Sequence, residues 1–154
     1  MVGMPVDMTT CILLDAIKRR LNTSEKFKSA ARGWTGTILV KLTPTLPGLP
    51  YVYKTFITIR DGRCAEIRAL EPEEEEKADI TVEMSVSTFD VLLRGEASSA
   101  AMVLRGRVKI KGKVFELLKR SAILEEVNRA MREMIFGGKA IPAMLPYLKR
   151  EFTF

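Results

Sequence analysis

The side chains in this chain with the greatest capacity for chemistry are charged, and their spacing sorts them. Arg105, Arg107, Lys109, Lys111 and Lys113 recur at every second position. Alternate residues of a strand share a face, so the central members form a basic file able to hold a phosphate or an anionic membrane surface. The same pattern also suits a solvated face whose lysines guard a sheet edge against pairing. Residues 71–77, EPEEEEK, place five Glu in seven positions. That run lacks the alternation of a calcium loop and reads as a solvated loop, so no metal site is expected. Cys64 and Glu66 sit on one strand face with no evident partner. The chain has no histidine, which removes Ser–His and Cys–His nucleophilic pairs and the commonest metal ligand. It has no Cys-x-x-Cys and no Gly-rich phosphate cradle. Neither an enzyme nor a cofactor is expected.

At 154 residues, 47% of them hydrophobic, one domain spanning 1–154 with a substantial core is the natural expectation. No run approaches the ~20 apolar residues of a membrane span, and MVGMPVDMTT has no basic segment followed by an apolar one. A cytoplasmic protein with Cys11 and Cys64 as reduced thiols is expected. The net charge of +6 would tolerate anionic partners. Nucleic acid is not expected, because aromatic stacking platforms are missing from the basic file.

The stretch 78–119 must position these groups. Ile80, Val82, Met84 and Val86 alternate with polar residues as a half-buried strand does. Ser87 or Thr88 can cap a helix carrying Phe89, Leu92 and Leu93 on one face, closed by Gly95. Ala97, Ala100, Ala101 and Leu104 make a second helical stripe. Val108 and Ile110 then alternate with Arg107, Lys109 and Lys111. Val114, Phe115, Leu117 and Leu118 start a third stripe.

Upstream, the spacing predicts a helix from Asp7 or Thr9 to about Leu21, a short helix capped by Thr23 or Ser24, and strands over 34–43, with Trp34, Gly36, Ile38, Val40 and Leu42 on one face, 51–60 and 63–70. Asp61-Gly62 is a strong hairpin signal, and the three strands should form a meander. Downstream, Ile123, Val127, Ala130, Met131, Met134 and Ile135 follow the helical period over 121–136, with a last turn or two around 141–148.

The pieces Ala-Asp-Ile-Thr at 78–81, Ser-Thr-Phe-Asp-Val-Leu-Leu-Arg-Gly at 87–95 and Leu-Arg-Gly-Arg-Val-Lys-Ile-Lys-Gly at 104–112 occur in an order that resembles the sterol carrier protein lipid-transfer domain. Gly33-Trp34-Thr35-Gly36-Thr37 is similar to that family's first-strand region. The resemblance covers roughly residues 8 to 120 and leaves 121–154 as a C-terminal helical extension. It implies an α+β fold: a five-stranded, mostly antiparallel sheet with helices on one face, in the order α-β-β-β-crossover-β-α-β-α. It further implies an apolar tunnel between the layers that binds a fatty acyl chain, acyl-CoA or isoprenoid lipid without changing it. Phe89, Leu92, Leu93, Ala101, Leu104, Phe115, Leu118, Met131, Met134 and Ile135 are then the candidate lining. Arg107, Lys109 and Lys111 are candidates for an anionic head group or a transient membrane contact. Helical stripes of this kind build solid cores as readily as cavities, so a second reading stays open. In it the cavity is closed by the helix over 121–136 and the chain is an interaction module, a monomer or a homodimer.

Overall fold

The computed structural model describes residues 8–43, 53–71 and 73–136. Eleven elements follow one another along them: α1 (Met8–Thr23), α2 (Glu25–Ala31), β1 (Gly36–Thr43), β2 (Tyr53–Arg60), β3 (Arg63–Leu70), β4 (Ile80–Ser85), α3 (Val86–Leu93), α4 (Ser99–Leu104), β5 (Val108–Gly112), α5 (Val114–Lys119) and α6 (Ala122–Phe136). The helical turns expected around 141–148 lie outside the described residues.

The strands form one sheet in the order β3-β2-β1-β4-β5. β1 pairs with β4 in parallel, and the other three pairings are antiparallel. The fold is the expected α+β arrangement. The β2–β3 turn has positive φ at Asp61 (50°) and Gly62 (79°), as a primed hairpin turn requires. The parallel pair is registered by a reciprocal exchange. The Thr37 amide donates to the Asp79 carboxylate at 3.0 Å, and the Asp79 amide donates to the Thr37 hydroxyl at 2.9 Å. At the far end of β5, Gly112 has φ +97°, and a Cβ there would collide with the Asp79 carbonyl oxygen. Both ends of the Gly106–Gly112 motif are thus fixed by backbone geometry, Gly106 having φ +72°.

Alternation sends Ile38, Ile57, Ile59, Ile80, Val82 and Val108 to one face of the sheet. There they meet Leu13, Ile17 and Leu21 of α1, Phe27 and Ala31 of α2, Leu92 of α3, Met102 of α4, and Ile123, Val127 and Ala130 of α6. Helix α6, the described part of the expected C-terminal extension, is therefore continuous with this core. α6 is also fixed at its flanks. Arg120 Nη1, just before it, donates to the carbonyls of Ala30 (3.1 Å) and Arg32 (2.8 Å) at the end of α2. Arg20 pairs with Glu133 at 2.7 Å, and Arg132 Nε donates to the Leu93 carbonyl at 2.7 Å.

Three details differ from the sequence reading. The α3 N-cap is Ser85, whose hydroxyl accepts from the Thr88 amide at 3.1 Å. Val86 therefore starts the helix instead of ending the strand, and it packs with Phe89 and Leu93 in a separate buried cluster. Second, β3 shifts register against Thr58 and Ile59 of β2. The bulge inverts the side-chain alternation, so Cys64 is buried in the core while Glu66 is exposed. These two do not share a face as expected. Third, the acidic run is tied down. Lys54 Nζ donates to the Glu74 carbonyl at 2.8 Å, and Arg68, 5.7 Å over the Phe56 ring, pairs with Glu74 and Glu76. The cluster of Leu39, Phe56 and Leu70, with Ala78 packed against it, occupies this second sheet face.

A candidate ligand cavity between sheet and helices

Beside the packed core, the inner face of the sheet borders a cavity of about 480 Å³. Its floor is the half of the sheet away from the Asp61-Gly62 turn: Val40 and Leu42 of β1, Thr55 and Ile57 of β2, Val82 and Met84 of β4, Val108 and Ile110 of β5. The register explains the grouping, since Val40 lies beside Thr55 and Val82, and Leu42 beside Met84, which faces Val108. Leu14 and Ile17 of α1, Phe89 and Leu92 of α3, and Leu124, Val127 and Met131 of α6 supply walls. α4 contributes Ser99, Ala100, Val103 and Leu104, mostly small residues that leave space a longer side chain would take. Ser98, Ala100, Leu104 and Ser121 line the cavity and are also exposed, so they mark its rim.

The volume falls within the ~300–1,000 Å³ usual for small-molecule pockets. The lining is largely aliphatic, and apart from Thr55 on the floor its polar side chains gather where α4 begins and α6 starts. Ser98 caps α4 by accepting from the Ala101 amide at 3.1 Å. Glu125 Oε1 accepts from the Ser99 amide at 2.8 Å, and Asn128 Nδ2 donates to the Ser99 hydroxyl at 3.3 Å. Glu125 is the one charged residue among the described residues of the lining.

Of the residues expected from sequence, Phe89, Leu92, Leu104 and Met131 line this cavity. Leu93 does not. It is 0% exposed against Val86 and Phe89, because its position on α3 turns it toward that second cluster. Ala101 is half-buried outside the lining. Phe115 is 80% exposed and outside the lining. The side chains of Leu118, Met134 and Ile135 lie outside the described residues. Lys109 and Lys111 alternate with Val108 and Ile110, which line the cavity, so both lysines project from the opposite sheet face. Lys111 there pairs with Glu83 at 3.1 Å. Arg107 is exposed in the turn before β5, three residues after the rim residue Leu104.

The sequence reading missed the whole floor and the polar rim. The floor was signalled by strand alternation, which had already placed Val40 and Leu42 with Ile38. The rim carried no local signal, because Ser99 and Glu125 meet across 26 residues of chain.

Two of the other candidate groups are shifted by their surroundings. Burial pushes the Cys64 thiol up to about 11, so the thiolate needed for nucleophilic attack is scarce at neutral pH. Glu74 is held below the usual carboxylate range chiefly by the Glu71 amide, then by Arg68, as suits an ion-paired strap. No cluster of three or more His, Cys, Asp or Glu suited to a metal ion occurs among the described residues. No helix among them is long and apolar enough to cross a membrane.

The sequence profile of the SCP-2 sterol transfer family matches residues 14–125. The chain belongs to that family. A crystal structure of sterol carrier protein 2 superposes with a TM-score of 0.70 at 26% identity, covering 82% of this chain and 98% of its own. The solution structure of a conserved hypothetical protein from Thermus thermophilus gives 0.68 at 26% identity, covering 86% and 92%. The sterol carrier protein domain 2 of Helicoverpa armigera, at 18% identity, a TM-score of 0.51 and coverages of 80% and 87%, shares the fold. No curated protein matches the chain significantly. The match to the SCP-2 family runs from within α1 to the first turn of α6, and the cavity-lining residues Val127, Asn128 and Met131 lie beyond it.

Proposed function

We propose that this chain binds and carries a hydrophobic ligand, chemically unchanged, with its hydrocarbon part in the cavity. The carrying observation is an aliphatic space of about 480 Å³ whose rim includes exposed Leu104. Water there gains little from its surroundings, whereas a hydrocarbon tail gains roughly 0.8 kcal/mol for each CH₂ removed from solvent. Membership of a sterol transfer family supports the reading. Fatty acyl, acyl-CoA and isoprenoid tails are the proposed ligand classes, and sterol, named in the family's description, is the comparison ligand. Arg105 and Arg107, exposed beside the rim, would draw an anionic membrane surface during loading, at about 1 kcal/mol per basic residue near such a surface.

Native mass spectrometry of freshly purified protein tests the proposal, followed by displacement of an uncharged fluorescent acyl probe. A co-purified lipid, or displacement by micromolar alkyl-chain ligand, is the expected result. Protein of bare mass from which no lipid of any class displaces the probe would end it.

A further inference from the structure

From the polar edge of the cavity we infer that Glu125 selects ligands whose head group is uncharged and donates a hydrogen bond, a primary alcohol being the simplest, against carboxylates of the same chain length. This rests on the carrier reading and narrows its ligand class. Three observations carry it. Glu125 is the one charged residue among the described residues that line the cavity, and no Lys or Arg joins it there. Arg105 and Arg107 are exposed beside Leu104 but outside the lining, and Lys109 and Lys111 project from the other sheet face, where Lys111 is paired with Glu83. Two of the amides at the start of α4 that would otherwise greet an anion are occupied, Ala101 by the Ser98 hydroxyl and Ser99 by Glu125 Oε1.

An anionic head at this edge would meet a carboxylate at short range, with few competing donors. A hydroxyl head meets suitable partners instead. It can donate to the second Glu125 oxygen or to Asn128 Oδ1, whose own Nδ2 is directed at Ser99. It can accept from the Ser99 hydroxyl. With the tail on the floor formed by Val40, Val82 and Ile110, the head reaches the edge between Ser98 and Ser121, which are both exposed.

The test uses the full chain at pH 8 and an uncharged fluorescent probe, displaced by a saturated primary alcohol, by the acid of equal chain length, and by that acid's methyl ester. The alcohol should displace at least ten-fold better than the acid, with the ester between them, since it is uncharged but donates no hydrogen bond. Glu125→Gln keeps the oxygen that accepts from the Ser99 amide and removes the charge. It should narrow the alcohol-to-acid ratio at least five-fold, chiefly by improving the acid, and a thermal melt checks that it folds. An acid that matches the alcohol in the unaltered protein overturns the inference and leaves the carrier reading standing, as does a ratio unmoved in a folded Glu125→Gln. The ester comparison decides the matter even if the variant fails to fold. If none of the three displaces the probe, the carrier reading fails and this inference with it.

Discussion

The two halves of the inner sheet face share one alternating pattern and end in opposite conditions. Toward the Asp61-Gly62 turn, Ile38, Ile59 and Ile80 are fully buried beneath Leu21, Phe27 and Ile123. Toward the other end, Val40, Leu42, Met84 and Ile110 remain half-buried and line the cavity. The residue types are the same aliphatics, so the difference lies in what covers them. The closed half is clamped. Asn22 at the end of α1 donates to the Cys64 carbonyl and accepts from its amide, both at 2.9 Å, while Arg120 fastens the start of α6 to the end of α2. The open half lies under α4, six residues long and rich in small side chains. A clamped end sets the layer separation, and short side chains at the other end fail to fill it. The cavity is a by-product of where the helices are tied.

The contrast can be broken or sharpened by measurement. Phe27→Ala, in the closed half at a fully buried position, should cost about 3–5 kcal/mol by urea unfolding, as large-to-small core changes do. A loss below 1 kcal/mol would mean that half is not close-packed. Cys64 belongs to the same half, and its raised thiol pKa gives a pH signature. The folded state holds this proton more tightly than the unfolded one. The contribution is therefore full below the unfolded value, near 9.0, and is lost as pH rises through about 11. Roughly 2–3 kcal/mol of stability should disappear across that window, and Cys64→Ala should flatten the corresponding part of the unfolding profile. In native protein at pH 8, exposed Cys11 should react with a thiol reagent well before buried Cys64.

In the open half, Val40→Phe places a ring in existing space. It should shift stability by less than about 1 kcal/mol, yet weaken displacement of the lipid probe ten-fold or more. A stability loss as large as that of Phe27→Ala would show that the space is not free. Leu104→Ala, at a rim position 87% exposed, should change stability by under about 0.5 kcal/mol.

Much of this molecule was legible before its coordinates. Period-two alternation assigned Ile38, Val40 and Leu42 to one face, and Asp61-Gly62 announced its turn. The Gly106–Gly112 motif carried the family resemblance, and its physical basis is the positive φ at both glycines. Local signals misled where a single residue of phase mattered. Ser85 outcompeted Ser87 and Thr88 as the cap of α3, so Val86 joined the helix and packs with Phe89 and Leu93 in a second cluster. The β3 bulge separated Cys64 from Glu66 because an unpaired residue in a ladder leaves no mark on composition.

The sequence by itself determined which residues would face inward and which would face water, since that follows from periodicity along a few residues of chain. It also determined, through its lack of histidine, which catalytic pairs could not form. The tertiary structure alone decided whether inward-facing residues would touch, because the gap between layers is set by anchors such as Arg120 to α2 and Asn22 to β3, which join distant parts of the chain. It alone brought Glu125 to Ser99, giving a largely aliphatic cavity the one charged side chain among its described lining residues.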